Sequence, residues 1–413
     1  MSLIITPKTL SGSVKIPPSK SMAHRMLICA GLSEGNSTIK NIALSDDVKA
    51  TIGALEKMGR IIKIKASKCE ISGILSFDGR QIDCKESGST LRFLIPIISA
   101  LGGGELIGEV RLGERPLTVY KDIFKSQGMT LKEGFPLKIS GKLKSGEFIV
   151  KGNISSQFIS GLMFAAPLME GDTRIILSTK LQSKGYVHMT IQAMAAYGIK
   201  VKTIKEDKEF LIEKNQLYKA KNTIVEGDWS QAGFWLLAGV KSEDGILIEG
   251  LSKKTYQGDI KIVEIVKNMG GNISFSRKGL LIKNSSLNKT NVDISQVPDL
   301  APVVAGLMAV SGKKCILRGC ERLRIKESDR VESIVNTLIK LGSNATVKGN
   351  SIIIKGMPKG GSIKTFKDHR IAMMAAALAP HCDTKVNIDD ETVVNKSYPA
   401  FWDDYKNLGG RYV

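Results

Sequence analysis

One period runs through this sequence from end to end. An amphipathic helical phrase closed by glycine recurs as ALEKMG, DIFKSQG, QAMAAYG, EIVKNMG, TLIKLG and DYKNLG, ending at Gly59, Gly128, Gly198, Gly270, Gly342 and Gly409 in steps of 67 to 72 residues. Glycine there suits the left-handed residue that commonly terminates a helix. A second phrase, a polar start leading into a helix of small apolar residues, is anchored on Ser21, Ser89, Ser156, Ser230, Asp299 and Asp368, in steps of 67 to 74 residues. One glycine-ended helix would mean nothing, because any α/β protein has some. Two phrases in step six times mean six copies of one supersecondary unit. Stretches rich in β-formers, among them IIKIKA, GEFIVKG, RIILSTK, GILIEG, CILRG and SIIIKG, fall between the helices, so each copy is mixed α/β. The helices of the second phrase are apolar nearly all round and are predicted to be buried, while the glycine-ended helices carry lysine and glutamate and are predicted to lie outside.

At 413 residues the chain exceeds what a single core comfortably serves, and two domains are expected. The six cysteines, at 29, 69, 84, 315, 320 and 382, form no CxxC pair and no cluster with the four histidines. That pattern predicts a reducing compartment and no structural metal. The first residues, MSLIITPKTLSGSVK, lack the apolar core of a signal peptide. No apolar run approaches the roughly 18 residues a membrane span needs, and the expectation is a cytoplasmic protein with no membrane association. The formal charge of +20 is spread along the sequence and forms no blocks. Part of it is solvated surface. The remainder suits anionic small molecules, and a nucleic-acid surface stays open as an alternative.

The starts of the buried helices bring together Lys20, Ser21 and Arg25; Gly88, Ser89, Thr90 and Arg92; Ser155, Ser156 and Gln157; Asp228 and Ser230; Asp299; and Asp368, His369 and Arg370. Serine, threonine and aspartate are ordinary N-caps. The cations are not. A helix N-terminus already carries partial positive charge, so Lys20, Arg25 and Arg370 imply an anion at those ends. RLRIKESDR, residues 322–330, reads either as an exposed charged turn before a helix or, beside Arg115 in LGERPLTVY and Lys396 in NKSYP, as part of a pocket. Cations from distant repeats point to substrates carrying phosphate and carboxylate.

PPSKSMAHR, ESGSTLR, GERP, SSQF, SKGY, GDWSQAGFW, VPDLAP, RIKESDR, FKDHRIAM and NKSYP occur in this order, and with them the chain resembles the 5-enolpyruvylshikimate-3-phosphate synthases over essentially its whole length. The resemblance implies an α/β (α+β) fold of two domains, each of three repeated βαβαββ units around buried helices, with the active site in the interdomain cleft. It places crossings near Pro17-Pro18 and Val225-Glu226, so that residues 1–18 with 226–413 form a discontinuous domain and residues 19–225 a continuous one. The implied reaction joins phosphoenolpyruvate to shikimate 3-phosphate and releases phosphate, with no metal or organic cofactor. By motif position, shikimate 3-phosphate falls to Lys20, Ser21, Arg25, Ser155, Ser156, Gln157, Ser183, Asp299 and Lys326. Phosphoenolpyruvate falls to Lys20, Gly88, Arg115, Gln157, Arg330, Arg370 and Lys396. Asp299 would take the proton of the attacking hydroxyl, and Glu327 would deliver one to the methylene carbon, with Lys20 assisting. The two small molecules are the implied partners and a monomer the implied state. Glu86, Gly185 and Arg322 depart from the family pattern, and the contacts next to them, including those that set inhibitor sensitivity, are where differences are expected.

Two other functions compete. The sister enzyme acting on UDP-N-acetylglucosamine shares the sixfold repeat, but its pattern has a cysteine ahead of the second-repeat arginine, and LIGEVRLGERP has none. A basic RNA-binding repeat protein would need aromatic residues among its basic clusters as stacking platforms. Aromatic residues make up only 6% of this chain and are not interleaved with those clusters.

Overall fold

The structure, a computed structural model, describes residues 2–132 and 134–413. One repeat shows how the period becomes a fold. Strand Gly146–Val150 leads into the helix Ser156–Ala165, which returns the chain as strand Thr173–Leu177, parallel to the first. A parallel partner requires such a crossover. The outer helix Lys184–Ala196 follows, then strands Lys202–Lys205 and Glu209–Ile212 as an antiparallel pair. The last strand inserts beside the second, and the sheet reads first, second, fourth, third. Among the described residues there are six four-stranded sheets, and all keep this order.

The periodic glycines do what their spacing predicts. Gly59, Gly128, Gly198, Gly270, Gly342 and Gly409 all lie at φ between +69° and +91°, a region where a Cβ would be strained. The helices before them are two-faced. Lys261–Asn268, for instance, buries Ile262, Val263, Ile265 and Val266 and turns its lysines outward. The small-residue helices are immersed: every residue of Trp229–Gly239 is buried, and so is every residue of Ala301–Val310 except the last. Gly161 shows why small residues recur in them, since a Cβ there would strike the Tyr120 hydroxyl and the Arg92 carbonyl.

The chain divides into two compact domains, Met1–Pro17 with Glu226–Val413, and Pro18–Val225. Each has its own apolar core. Three strands are borrowed across sequence to complete repeats. Leu3–Thr6 is antiparallel to Val386–Ile388 and to Arg411–Tyr412, and so is the fourth strand of the last repeat. Gly12–Lys15 runs parallel to Ile246–Glu249 as first strand of the fourth repeat, and Asn222–Ile224 runs parallel to Ser37–Lys40 as first strand of the first. Starts of buried helices meet within each domain: Arg370 bonds Ser230 and the Asp299 carbonyl in one, and Gln157 bonds Ser89 and Arg92 in the other.

Candidate active site

In the discontinuous domain these helix starts gather around Arg330. Its side chain is 0% exposed, and it sits at the first position of the helix Arg330–Lys340, capped by Asp329. Nη1 donates to Asp299 Oδ1 at 2.8 Å, Nη2 to Asp368 Oδ1 at 3.2 Å and Nε to Asp368 Oδ2 at 2.8 Å, while Nη2 is also ion-paired with Glu327 Oε2 at 2.6 Å. Burial opposes its charge, but Asp368, Glu327 and Asp299 outweigh burial and raise its pKa further. Asp299 also meets Lys326 Nζ at 3.2 Å and Arg370 Nε at 3.8 Å. Burial alone would raise the Asp299 carboxyl, yet Lys326, Arg370 and Arg330 overcome it and hold the group well below the usual carboxylate range. Lys326 is shifted down by burial, against the pull of Asp299.

Arg370 ties the three repeats of this domain together. Its backbone N–H is capped by Asp368 at 3.0 Å, and its Nη1 donates to Ser230 Oγ at 2.6 Å and to the Asp299 carbonyl at 3.0 Å. Lys396 is buried on the turn Thr392–Lys396. The next residue, Ser397, accepts from Gln231 Nε2 at 3.1 Å, which fixes the turn against the helix Trp229–Gly239.

The continuous domain builds a second cluster. Lys20 Nζ donates to Asp47 Oδ2 at 2.6 Å, so the anion implied for this helix end is partly supplied by the protein. Arg25 is buried with no carboxylate paired to it among the described residues. It donates to the carbonyls of Ser21 at 2.6 Å and Tyr186 at 3.0 Å and to Thr190 Oγ1 at 2.9 Å, with the rings of Phe93 and Tyr186 at 5.3 and 5.7 Å. Burial brings its pKa down to about 10. Gln157 donates to Ser89 Oγ at 2.9 Å and accepts from Arg92 Nη1 at 2.7 Å. Ser155 caps the helix Ser156–Ala165, and Ser156 is its buried first residue. Buried Ser183, at φ +56°, starts the helix that carries Tyr186. The Arg115 guanidinium lies over Gly88, where a Cβ would stand 2.6 Å from Nη1. Beside it is a cavity of about 260 Å³, with Arg115, Lys121 and Phe135 in its wall.

The structure therefore brings Asp299, Lys326, Glu327, Arg330 and Arg370 into one bonded cluster in one domain, and joins Gln157 with Arg92 and Gly88 with Arg115 in the other. Segment 322–330 is exposed in part and buried in part: Arg324 pairs with Asp329 at the surface at 2.9 Å, while Arg330 is fully buried. Sequence reasoning missed Asp47. It stands in the first turn of a helix, where an acidic residue is unremarkable.

A family model described as EPSP synthase (3-phosphoshikimate 1-carboxyvinyltransferase) matches residues 4–405. A protein of Clostridium perfringens called 3-phosphoshikimate 1-carboxyvinyltransferase is 46% identical over 420 residues, spanning 99% of this chain and 98% of that one. One of the same name from Clostridioides difficile is 47% identical over 431 residues, with the same coverage. The solved EPSP synthase of Acinetobacter baumannii superimposes with a TM-score of 0.83 at 23% identity, covering 100% of this chain and 99% of its own.

Proposed function

The chain belongs to the EPSP synthase family, and on that premise we propose how its residues divide the work. The protein transfers the enolpyruvyl group of phosphoenolpyruvate to the 5-hydroxyl of shikimate 3-phosphate and releases phosphate, a step of the shikimate pathway. The reaction adds an alcohol across an enol double bond to give a tetrahedral ketal phosphate, then expels phosphate. Each half moves a proton in the opposite direction, so two carboxylates suit it.

The observation that carries the assignment is the meeting of Asp299 with Lys326, Arg330 and Arg370. These cations keep Asp299 ionised, ready to accept the hydroxyl proton. They also leave it a weak base until substrate arrives. Phosphate and carboxylate groups bound to Lys326 and Arg370 would offset their positive charge and let the Asp299 pKa rise when the hydroxyl is in place. Glu327, on Arg330, is the donor to the methylene carbon. Lys20, Ser21, Arg25, Ser155, Ser156, Gln157, Ser183 and Lys326 hold shikimate 3-phosphate. Lys20, Gly88, Arg115, Gln157, Arg330, Arg370 and Lys396 hold phosphoenolpyruvate and stabilise the departing phosphate. All six cysteines are free and buried, which suits the reducing cytosol, and we assign the protein there as a monomer.

Phosphate should be released from phosphoenolpyruvate only when shikimate 3-phosphate is present. Turnover with UDP-N-acetylglucosamine in its place would overturn the assignment. A narrower expectation concerns Gly88: alanine there forces the Arg115 guanidinium to move, because a Cβ would stand 2.6 Å from Nη1. Gly88→Ala should raise KM for phosphoenolpyruvate several-fold and leave the calorimetric affinity for shikimate 3-phosphate unchanged, a result that equal losses for both ligands would contradict.

A further inference from the structure

His24 is a buried histidine to which the reaction described above gives no task. It lies one turn after Lys20 on the helix Lys20–Leu32, and its Nδ1 is 2.7 Å from Thr51 Oγ1. Thr51 lies one turn after Asp47 on the helix Asp46–Lys57, so successive rungs join the two helices, Lys20 to Asp47 and then His24 to Thr51. The second rung continues into a third helix. Thr51 Oγ1 is 2.7 Å from Thr90 Oγ1, and the Thr90 hydroxyl donates to Ser87 Oγ at 2.7 Å. Ser87 is the N-cap of the helix Gly88–Ala100 and also accepts from the Thr90 backbone N–H at 3.2 Å. His24, Thr51, Thr90 and Ser87 are all 0% exposed.

Each hydroxyl has a single proton to give, and this fixes the direction of the chain. Thr90 gives its proton to Ser87, so at the next link it accepts from Thr51. Thr51 then has no proton left for the histidine and accepts from Nδ1–H. His24 is therefore the neutral Nδ1–H tautomer, and its Nε2 has no hydrogen-bond partner among the described residues. Burial favours the same neutral form, bringing the imidazole pKa down to about 3. An apolar residue would fill this place without burying an unpaired nitrogen, so the Nδ1 donor is what the position uses.

We propose that His24 is a positioning residue that acts through Thr51 and Thr90 to fix the N-cap Ser87, and so holds Gly88 beside the Arg115 guanidinium where phosphoenolpyruvate binds. This rests on the assignment of Gly88 and Arg115 to phosphoenolpyruvate. Little movement is tolerated at that helix start. A Cβ on Gly88 would already stand 2.6 Å from Arg115 Nη1, and the next residue, Ser89, accepts from Gln157 Nε2 at 2.9 Å. A rotation of the first turn disturbs both contacts at once.

The test uses the full-length enzyme. With isotope-labelled histidine, long-range proton–nitrogen correlation spectra at neutral pH should show His24 protonated on Nδ1 and bare on Nε2, the signal being identified by its loss in His24→Leu. An Nε2–H tautomer would reverse the chain and overturn the inference. Steady-state kinetics give kcat and KM for phosphoenolpyruvate, and calorimetry gives the affinity for shikimate 3-phosphate. His24→Leu, Thr51→Val and Thr90→Val should each raise KM for phosphoenolpyruvate about fivefold, the scale of one neutral hydrogen bond. Binding of shikimate 3-phosphate should be unchanged, because the rung from Lys20 to Asp47 stays in place. Thr51→Val combined with Thr90→Val should be no worse than Thr90→Val alone, since both cut the same chain. Thr51→Ser, which keeps the hydroxyl, should keep the wild-type KM. Should His24→Leu fail to fold, Thr51→Val, which exchanges a hydroxyl for a methyl, tests the same link. An unchanged KM in the threonine variants, beside a raised one in Arg115→Ala, overturns the inference alone. So do equal losses of affinity for both substrates. An unchanged KM in Arg115→Ala overturns the assignment of Arg115, and the inference with it.

Discussion

Asp299→Asn is expected to lower the rate of phosphate release by at least about a hundredfold, the usual scale of general acid–base catalysis, while shikimate 3-phosphate still binds. Asparagine has nearly the shape of aspartate, so the environment of Lys326, Arg330 and Arg370 around residue 299 is kept while the proton acceptor is removed. Glu327→Gln should have an effect of the same order, because the amide can still accept from Arg330 but cannot deliver a carboxylic proton. Phosphate release under saturating substrates, alongside calorimetry with shikimate 3-phosphate, separates chemistry from binding. Near-normal turnover in either variant removes that residue from the mechanism.

Arg330→Met should act mainly on stability. It donates three hydrogen bonds to Asp299 and Asp368 and is ion-paired with Glu327 as well, and without the cation three buried or half-buried carboxylates face one another. Losing one partner of a buried ion pair costs about 3–5 kcal/mol, and this arginine serves three. The loss can be read in one domain alone. All three tryptophans, Trp229, Trp235 and Trp402, lie in the discontinuous domain, so the denaturant midpoint of tryptophan fluorescence reports that domain specifically. The midpoint should fall clearly in Arg330→Met, and an unchanged one would show that the carboxylates find other partners.

The contrast with Arg370 marks where sequence reasoning stopped. Both arginines appear as cations beside a helix start, and by motif both belong to phosphoenolpyruvate. Only the coordinates separate a guanidinium with three N–H bonds to carboxylates from one that donates to a hydroxyl and a carbonyl and meets the Asp299 carboxylate at 3.8 Å. Lys20 taught the same lesson: its helix end called for an anion, and Asp47, 27 residues away, partly answers. Asp47 itself was invisible because a first-turn acid is explained by the helix dipole before any site is invoked.

The repeat was legible because it is written in residues whose physics is local. A glycine that ends a helix at positive φ, and a helix with no polar face, declare themselves without knowledge of their partners. Strand pairing does not. Leu3–Thr6 is four residues long and its partners are Val386–Ile388 and Arg411–Tyr412. Nothing within the strand itself names a partner nearly the whole chain away.

That long-range pairing has a consequence for synthesis. Every strand of the three sheets in Pro18–Val225 comes from that stretch itself, so this domain can fold while the ribosome is still making the rest. Leu3–Thr6 is made long before its partners, and its sheet is complete only when Arg411–Tyr412 has emerged. Throughout elongation this strand is an unpaired apolar edge, a hazard for aggregation. Factors that shield nascent chains should matter for the Leu3–Thr6 segment until those partners are made.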